Sequence, residues 1–325
     1  MIHRVQTFRE RWTRFWFKPV GPLNLGLCRV LFFGAFFLFY LPQDVRAWAE
    51  VSDSFWMPID LFKILHVPVL SGGVLAAFQG VWKVSLALSS LGLFTRASTV
   101  TSFVLGAYLL GIPNNFGKTH HFDALVVIIF GIMALSHCGD ACSLDQLIRQ
   151  ARQRNTLSVH QPRMSGEYTW PVRAVWVMFA LIFFAAGLSK LRHSGLEWIL
   201  SDNMAIMLIQ HHYHTANADP LVSWGLSLAQ HIWLTRLMAA ATVAFEVGYP
   251  LALFSRKARW VIVPSVFFMQ LGIRVLMGPT FTQFLICNLF WIPWDRISLR
   301  FAEGVDKLGL RKRLGSRNEP TKHDT

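Results

Sequence analysis

The sequence predicts an all-α, polytopic transmembrane bundle of about eight spans with both termini cytoplasmic, and three observations carry that expectation. Of 325 residues, 53% are apolar and only 15% charged. The mean hydropathy of +0.39 is too high for a soluble domain of this length. The apolar residues fall into runs near spanning length. The basic residues sit in short blocks between those runs, and every block falls on one side once the N-terminal arginines are placed in the cytoplasm. A formal charge of +13 distributed in this way suits anionic headgroups and excludes a nucleic-acid face, which would need the cations gathered on one soluble surface.

Residues 1–20 read as an amphipathic interfacial helix. Ile2, Val5, Phe8, Trp12, Phe15 and Trp16 recur at helical spacing, with Arg4, Arg9, Arg11, Arg14 and Lys18 largely around the other side. No small-residue cleavage site follows the first apolar run, so this is not a signal peptide.

Residues 21–294 form the transmembrane domain. Gly21-Pro22 starts a first span over Leu23–Leu41, with Arg29 roughly two turns inside. Pro42–Gly72 holds Asp44, Arg46, Glu50, Asp53, Asp60 and Lys63 among aromatics and prolines, which suits a structured external loop. Spans at Gly73–Phe94 and Ala97–Ile112 make a helical hairpin around Arg96, and the polar loop Asn114–His121 leads into a short fourth span, Phe122–His137. Cys138–Tyr168 is polar and basic, with Arg149, Arg152, Arg154 and Arg163. The fifth span, Pro171–Leu188, carries no charge after Arg173 and ends on Lys190. Between it and a sixth span at Trp233–Phe254 lies a segment rich in aromatics, expected to be partly helical and folded back on the bundle. Arg256-Lys257-Ala258-Arg259 marks the turn before Trp260–Met277, and Phe281–Trp294 is the eighth span. Residues 295–325 are a basic cytoplasmic tail.

This arrangement collects the chemistry on the external side. Lys190 stands where hydrocarbon gives way to water, and loss of hydration there favours a neutral amine that can serve as a base. A lysine at a helix end also serves as a headgroup anchor, so both readings stand. His211, His212 and His214 could hold zinc or copper, but no thiolate or carboxylate lies at ligand spacing and no metal is expected. The lone Cys138–Cys142 pair is a weak metal signal beside an ordinary pair of small residues. Arg29, Arg274 and Glu246 lie inside apolar spans, where a charge costs about 2.5–3.5 kcal/mol unless it is paired or faces a polar cavity. Glu246 can pair with one arginine; an arginine left over could hold a phosphate or carboxylate.

Several stretches resemble the membrane part of the vitamin K-dependent gamma-glutamyl carboxylases and the wider bacterial HTTM group, the horizontally transferred transmembrane domain. L-C-R-V-L-F-F-G with Pro42-Gln43 is similar to the family's first helix, and L-G-L-F-T-R-A-S (Leu91–Ser98) to its second hairpin turn. A-G-L-S-K-L (Ala186–Leu191), with Trp198 and Met204 downstream, is similar to the segment bearing the catalytic lysine. The resemblance covers most of Val20–Trp294 and rests on the order and spacing of these motifs.

It implies that Lys190 is the base and that the histidine before the fourth helix is His120 or His121. In the carboxylases such a lysine deprotonates a reduced quinone, whose reaction with oxygen yields a base strong enough to take a gamma proton from glutamate before carbon dioxide adds. Phe183, Phe184, Ala185 and Ala186 would form the apolar wall, and Arg29, Arg274, Phe184 and Trp198 would hold the quinone. Two departures narrow the expectation. The carboxylases carry a large lumenal substrate domain after the last span, where this sequence has Asp295–Thr325. Phe267-Phe268-Met269 also stands where the family tends to place a histidine. The expected protein is therefore a multi-pass inner-membrane enzyme of quinone-dependent carboxylase or epoxidase type. The alternative is a non-catalytic module binding quinone or lipid and a protein partner. Its partners would be the bilayer, a quinone and a periplasmic protein or peptide, with no nucleic acid.

Overall fold

The computed structural model of the chain describes residues 2–117, 122–153, 164–215 and 223–307. Among them the fold is all helical, apart from an isolated antiparallel bridge between Val20 and Ser165. Helix α1 (Ile2–Phe17) is the expected amphipathic segment. Helix α2 (Leu23–Tyr40) follows Pro22, whose fixed φ suits a helix start. The external loop contains two 3₁₀ turns and the short α3 (Asp60–Ile64). Then α4 (Gly72–Leu91) and α5 (Thr95–Gly111) form the hairpin, turning at Gly92 with φ 70°. Helices α6 (Phe122–Leu135) and α7 (Leu144–Gln153) lead to the longest helix, α8 (Trp170–Ser194).

The segment after Lys190 is helical as expected. It forms α9 (Glu197–Leu200), α10 (Asn203–Thr215) and α11 (Ser223–Ala229), and α10 and α11 pack back on later helices around Leu208, Ala229 and Met277. The chain continues through α12 (Ile232–Gly248), α13 (Leu251–Phe254), α14 (Arg256–Met277), α15 (Thr282–Cys287) and α16 (Trp294–Lys307). The start of the basic tail is thus a helix; Trp294 donates its backbone N–H to Asn24 Oδ1 at 2.9 Å, joining it to α2.

Among the described residues, four helices are long and apolar enough to cross a membrane: α2, α4, α8 with its preceding turn, and α14. Helices α5 and α12 have 17 residues each and α6 has 14. At a rise of about 1.5 Å per residue these three fall short of a hydrocarbon core of about 30 Å. The eighth predicted span is not one helix. Only Thr282–Cys287 is α-helical, the next turn tightens to 3₁₀ over Asn288–Trp291, and Phe284 and Phe290 are buried. That run is apolar because protein surrounds it. The sixth predicted span breaks between Gly248 and Leu251, where Pro250 cannot donate to the helix before it.

The core runs along α2. Phe32, Phe33 and Phe36 are fully buried, and all three ring systems meet Phe130 of α6, with Phe33 stacked at 5.3 Å and an interplanar angle of 20°. Side-chain contacts gather the loops at the two ends. At one end Thr169 donates to Lys18 O at 2.5 Å, and Asp145 of α7 caps the start of α5 by accepting from the N–H groups of Phe94 and Thr95 and the Thr95 hydroxyl. Burial raises the Asp145 carboxyl, but those hydrogen bonds outweigh it and hold the group below its ordinary range. At the other end the external loop docks on the turn after α5: Met57 N–H donates to Asn115 O at 2.7 Å, and Trp48 stacks on Phe116.

Candidate functional site

Lys190 lies in the last turns of α8. One turn earlier on the same face is Gly187, where a Cβ would stand 2.8 Å from Glu246 Cβ and 2.9 Å from Val247 N. The absent side chain lets α8 and α12 cross at close range, as small residues do in packed membrane helices. Glu246 thereby reaches the ammonium: Lys190 Nζ donates to Oε1 at 2.7 Å and to Oε2 at 2.6 Å. The lysine side chain is 21% exposed and the carboxylate 7%, so the pair sits at the edge of the bundle with its acid inside.

After Ser194 the backbone turns at Gly195 with φ 58° and brings Trp198 over the amine, its ring 5.6 Å from Nζ. Its Nε1–H is buried with no hydrogen-bond partner among the described residues. Phe183, seven residues before Lys190 and so on nearly the same face, stacks on Tyr249 at 4.7 Å and meets Phe284 at 5.9 Å. Phe184 is half-buried and lies about 120° further round the helix. The aromatic wall on this face of α8 is therefore built on Phe183, about 10 Å along the helix from Lys190.

Expected pairing of Glu246 with an arginine is overturned, because the α8–α12 crossing gives both carboxylate oxygens to Lys190. Arg29 instead donates only to carbonyls. Its Nε bonds Cys138 O at 3.1 Å, Nη1 bonds Ser89 O at 2.6 Å and Ser90 O at 3.2 Å, and Nη2 bonds Cys142 O at 2.6 Å. Ser89 O and Ser90 O are orphan carbonyls of the last turn of α4, and Cys138 O and Cys142 O belong to the loop between α6 and α7, so the arginine caps one helix end and ties that loop to it. Cys138 and Cys142, the weak metal candidates, contribute their backbone oxygens. Arg274 Nη1 reaches Gly278 O at 3.2 Å at the end of α14.

His120 and His121 lie outside the described residues, as does the side chain of His214. His211 shares a hydrogen bond through Nδ1 with Met207 O at 2.8 Å, one turn back on α10, and His212 Nδ1 is buried without a partner among the described residues. Because the cluster is helical, positions 211 and 214 share a face and 212 stands about 100° away. Among the described residues no three His, Cys, Asp or Glu side chains gather as a metal site.

A second polar cluster escaped sequence reasoning. Asp123, buried in the first turn of α6, accepts from Tyr40 Oη at 3.0 Å and Gln283 Nε2 at 3.3 Å. Its one signal was an acid directly after His120, His121 and Phe122 at the head of an apolar run. The neighbouring Phe122 ring packs on Phe281 at 5.1 Å and Phe284 at 5.6 Å. Phe284 thus links the two polar clusters through one aromatic wall.

A family model described as the HTTM domain matches residues 17–289. No curated protein and no solved structure matches the chain.

Proposed function

The chain belongs to the HTTM domain family, a membrane protein with apolar spanning helices, and from that premise we propose that Lys190 is the base of a quinone-dependent enzyme. The observation that carries this reading is the Lys190–Glu246 pair with the Trp198 ring over the amine.

The residues suit a reduced quinone. Trp198 offers a buried N–H without a partner among the described residues, and Lys190 a cation at the edge of the bundle. When bound, reduced quinone with oxygen would supply the strong base implied by the resemblance to the gamma-glutamyl carboxylases. The protein's part is to take the first proton. Lys190 must be neutral for that, and its contact with Glu246 provides the route: a proton passes along an N–H···O bond to the carboxylate, leaving an amine lone pair and a carboxylic acid. The pair stays neutral overall, so this transfer leaves no uncompensated charge in a poorly solvated place. Glu246 is then a positioning and proton-holding residue, and Trp198 orients the ring by donating to one of its oxygens.

The test is epoxidation of reduced naphthoquinone by the purified protein in nanodiscs with oxygen and bicarbonate. Lys190→Met is expected to lower turnover by about 10²–10⁴-fold, the contribution of a positioned base. Glu246→Gln should lower kcat, since the lysine then lacks the carboxylate that takes its proton. Unchanged turnover in Lys190→Met would sink the proposal.

The same pair favours a second reading, because a lysine and glutamate bonded across two membrane helices are satisfied without any chemistry. Under it the protein is a non-catalytic module that binds quinone or lipid and a periplasmic partner. Lys190→Met would then alter binding or assembly, with no turnover in either protein.

A further inference from the structure

At the opposite end of α8 from Lys190, two guanidinium groups share one indole. Arg173 Cζ lies 4.3 Å from the Trp176 ring and Arg259 Cζ 4.1 Å from it, so the two like charges are no further apart than those distances together. Trp176 is fixed: its Nε1–H donates to Phe290 O at 2.8 Å, and its ring stacks on Trp291 at 4.5 Å with an interplanar angle of 8°. Arg259 is half committed, donating from Nε to Ala252 O at 2.9 Å and from Nη2 to Leu253 O at 3.2 Å.

Arg173 has no side-chain hydrogen bond or ion pair among the described residues; its contacts are with Trp176 and, at 5.0 Å, the Phe15 ring of α1. The acids of the neighbouring turns are engaged elsewhere, Glu167 with His137 at 2.9 Å and Asp140 with Tyr168 at 2.9 Å. Two cations held together against their mutual repulsion, with no acid between them, form a receptor for an anion that bridges both.

The surroundings say which anion. Phe254, 80% exposed, reaches within 6.3 Å of the Phe15 ring, and Trp260, 68% exposed, directly follows Arg259. Exposed rings beside a paired cation suit acyl chains beside a phosphate, at the level where aromatic and basic residues meet headgroups. We propose that Arg173 and Arg259, floored by Trp176 and walled by α1, form a site for the phosphate of one anionic phospholipid.

The probe is phosphatidylglycerol, titrated against the full chain in neutral detergent, with binding read by native mass spectrometry and stabilisation by thermal unfolding. Phosphatidylglycerol is expected to bind and raise the melting temperature, while phosphatidylcholine and inorganic phosphate do neither at the same concentration. Arg173→Gln breaks no hydrogen bond within the fold, so it should fold normally and weaken phosphatidylglycerol binding about tenfold or more, the loss expected for a charge-assisted hydrogen bond. Arg256→Gln removes an equal charge from the same turn without touching the indole, and should leave affinity unchanged. Wild-type affinity in Arg173→Gln, an equal loss in Arg256→Gln, or equal stabilisation by phosphatidylcholine or by inorganic phosphate would each overturn the assignment.

Discussion

Arg29 shows how one residue can be conspicuous in a sequence while its role stays hidden. A guanidinium inside an apolar run is costly and must be satisfied. Its partners, however, are carbonyl oxygens of Ser89, Ser90, Cys138 and Cys142, and backbone acceptors leave no mark on the residue types that carry them. Gly92 belongs to the same device: at φ 70° it turns the chain, and a Cβ there would collide with Arg29 Nη1 and Ser143 Cβ. Arg29→Met would leave buried carbonyls without donors and should destabilise the fold by roughly 2–4 kcal/mol. Arg29→Lys should recover only part of that, since one ammonium cannot reproduce a planar fork serving several carbonyls. Thermal unfolding in detergent checks both; a methionine variant that melts with the wild type would remove the capping role. Lys190 was legible for the opposite reason, standing as the single charge at the end of a long apolar run. Its partner was not, because the register of α8 against α12 depends on where the helices touch.

At the scale of elements, that touch point is Gly187. Gly187→Ala would force the α8 and α12 backbones apart, since Val247 N and Glu246 Cβ occupy the space a methyl group needs. The expected loss is about 1–3 kcal/mol, typical of overpacking. Gly248→Ala, with nothing within 4 Å of its would-be Cβ, should melt as the wild type does. Equal melting of all three proteins would show that the crossing tolerates a wider gap. Helix existence was legible along most of the chain, because long apolar runs bounded by Pro22, Gly92, Gly195 and Gly278 leave few alternatives. Helix extent was less so. Phe281–Trp294 looks like a span by hydropathy, yet its apolar residues face Phe122, Phe179 and Phe183 inside the bundle. Hydropathy cannot separate a segment wrapped in protein from one wrapped in lipid.

For the whole molecule, the two ends differ in what they hold. One gathers α1, α7, the α4–α5 turn and the Arg173–Arg259 pair; the other gathers the loop before α4, the turn after α5 and, by the course of α8, Lys190. The distribution of basic residues predicts that the first end faces the cytoplasm. With Cys142 replaced by serine to remove the exposed native thiol, Lys63→Cys should react with an impermeant maleimide in intact cells, and Gln150→Cys only after permeabilisation. Labelling of both from one side would refute this orientation. The sorting of loops was legible because charge asymmetry repeats at every turn, whereas the Asp123–Tyr40–Gln283 cluster joins three distant segments and could be seen only once they were packed.

The Arg29 clamp also fixes an order of events in biosynthesis. Its acceptors lie 60 residues downstream at Ser89 and 113 residues downstream at Cys142. When α2 leaves the ribosome, the four carbonyls that Arg29 bonds have not yet been translated, and lipid alone is a poor host for the charge at about 2.5–3.5 kcal/mol. Arg29 therefore cannot reach its final setting until the chain has been made through Cys142 and the four carbonyls close around it.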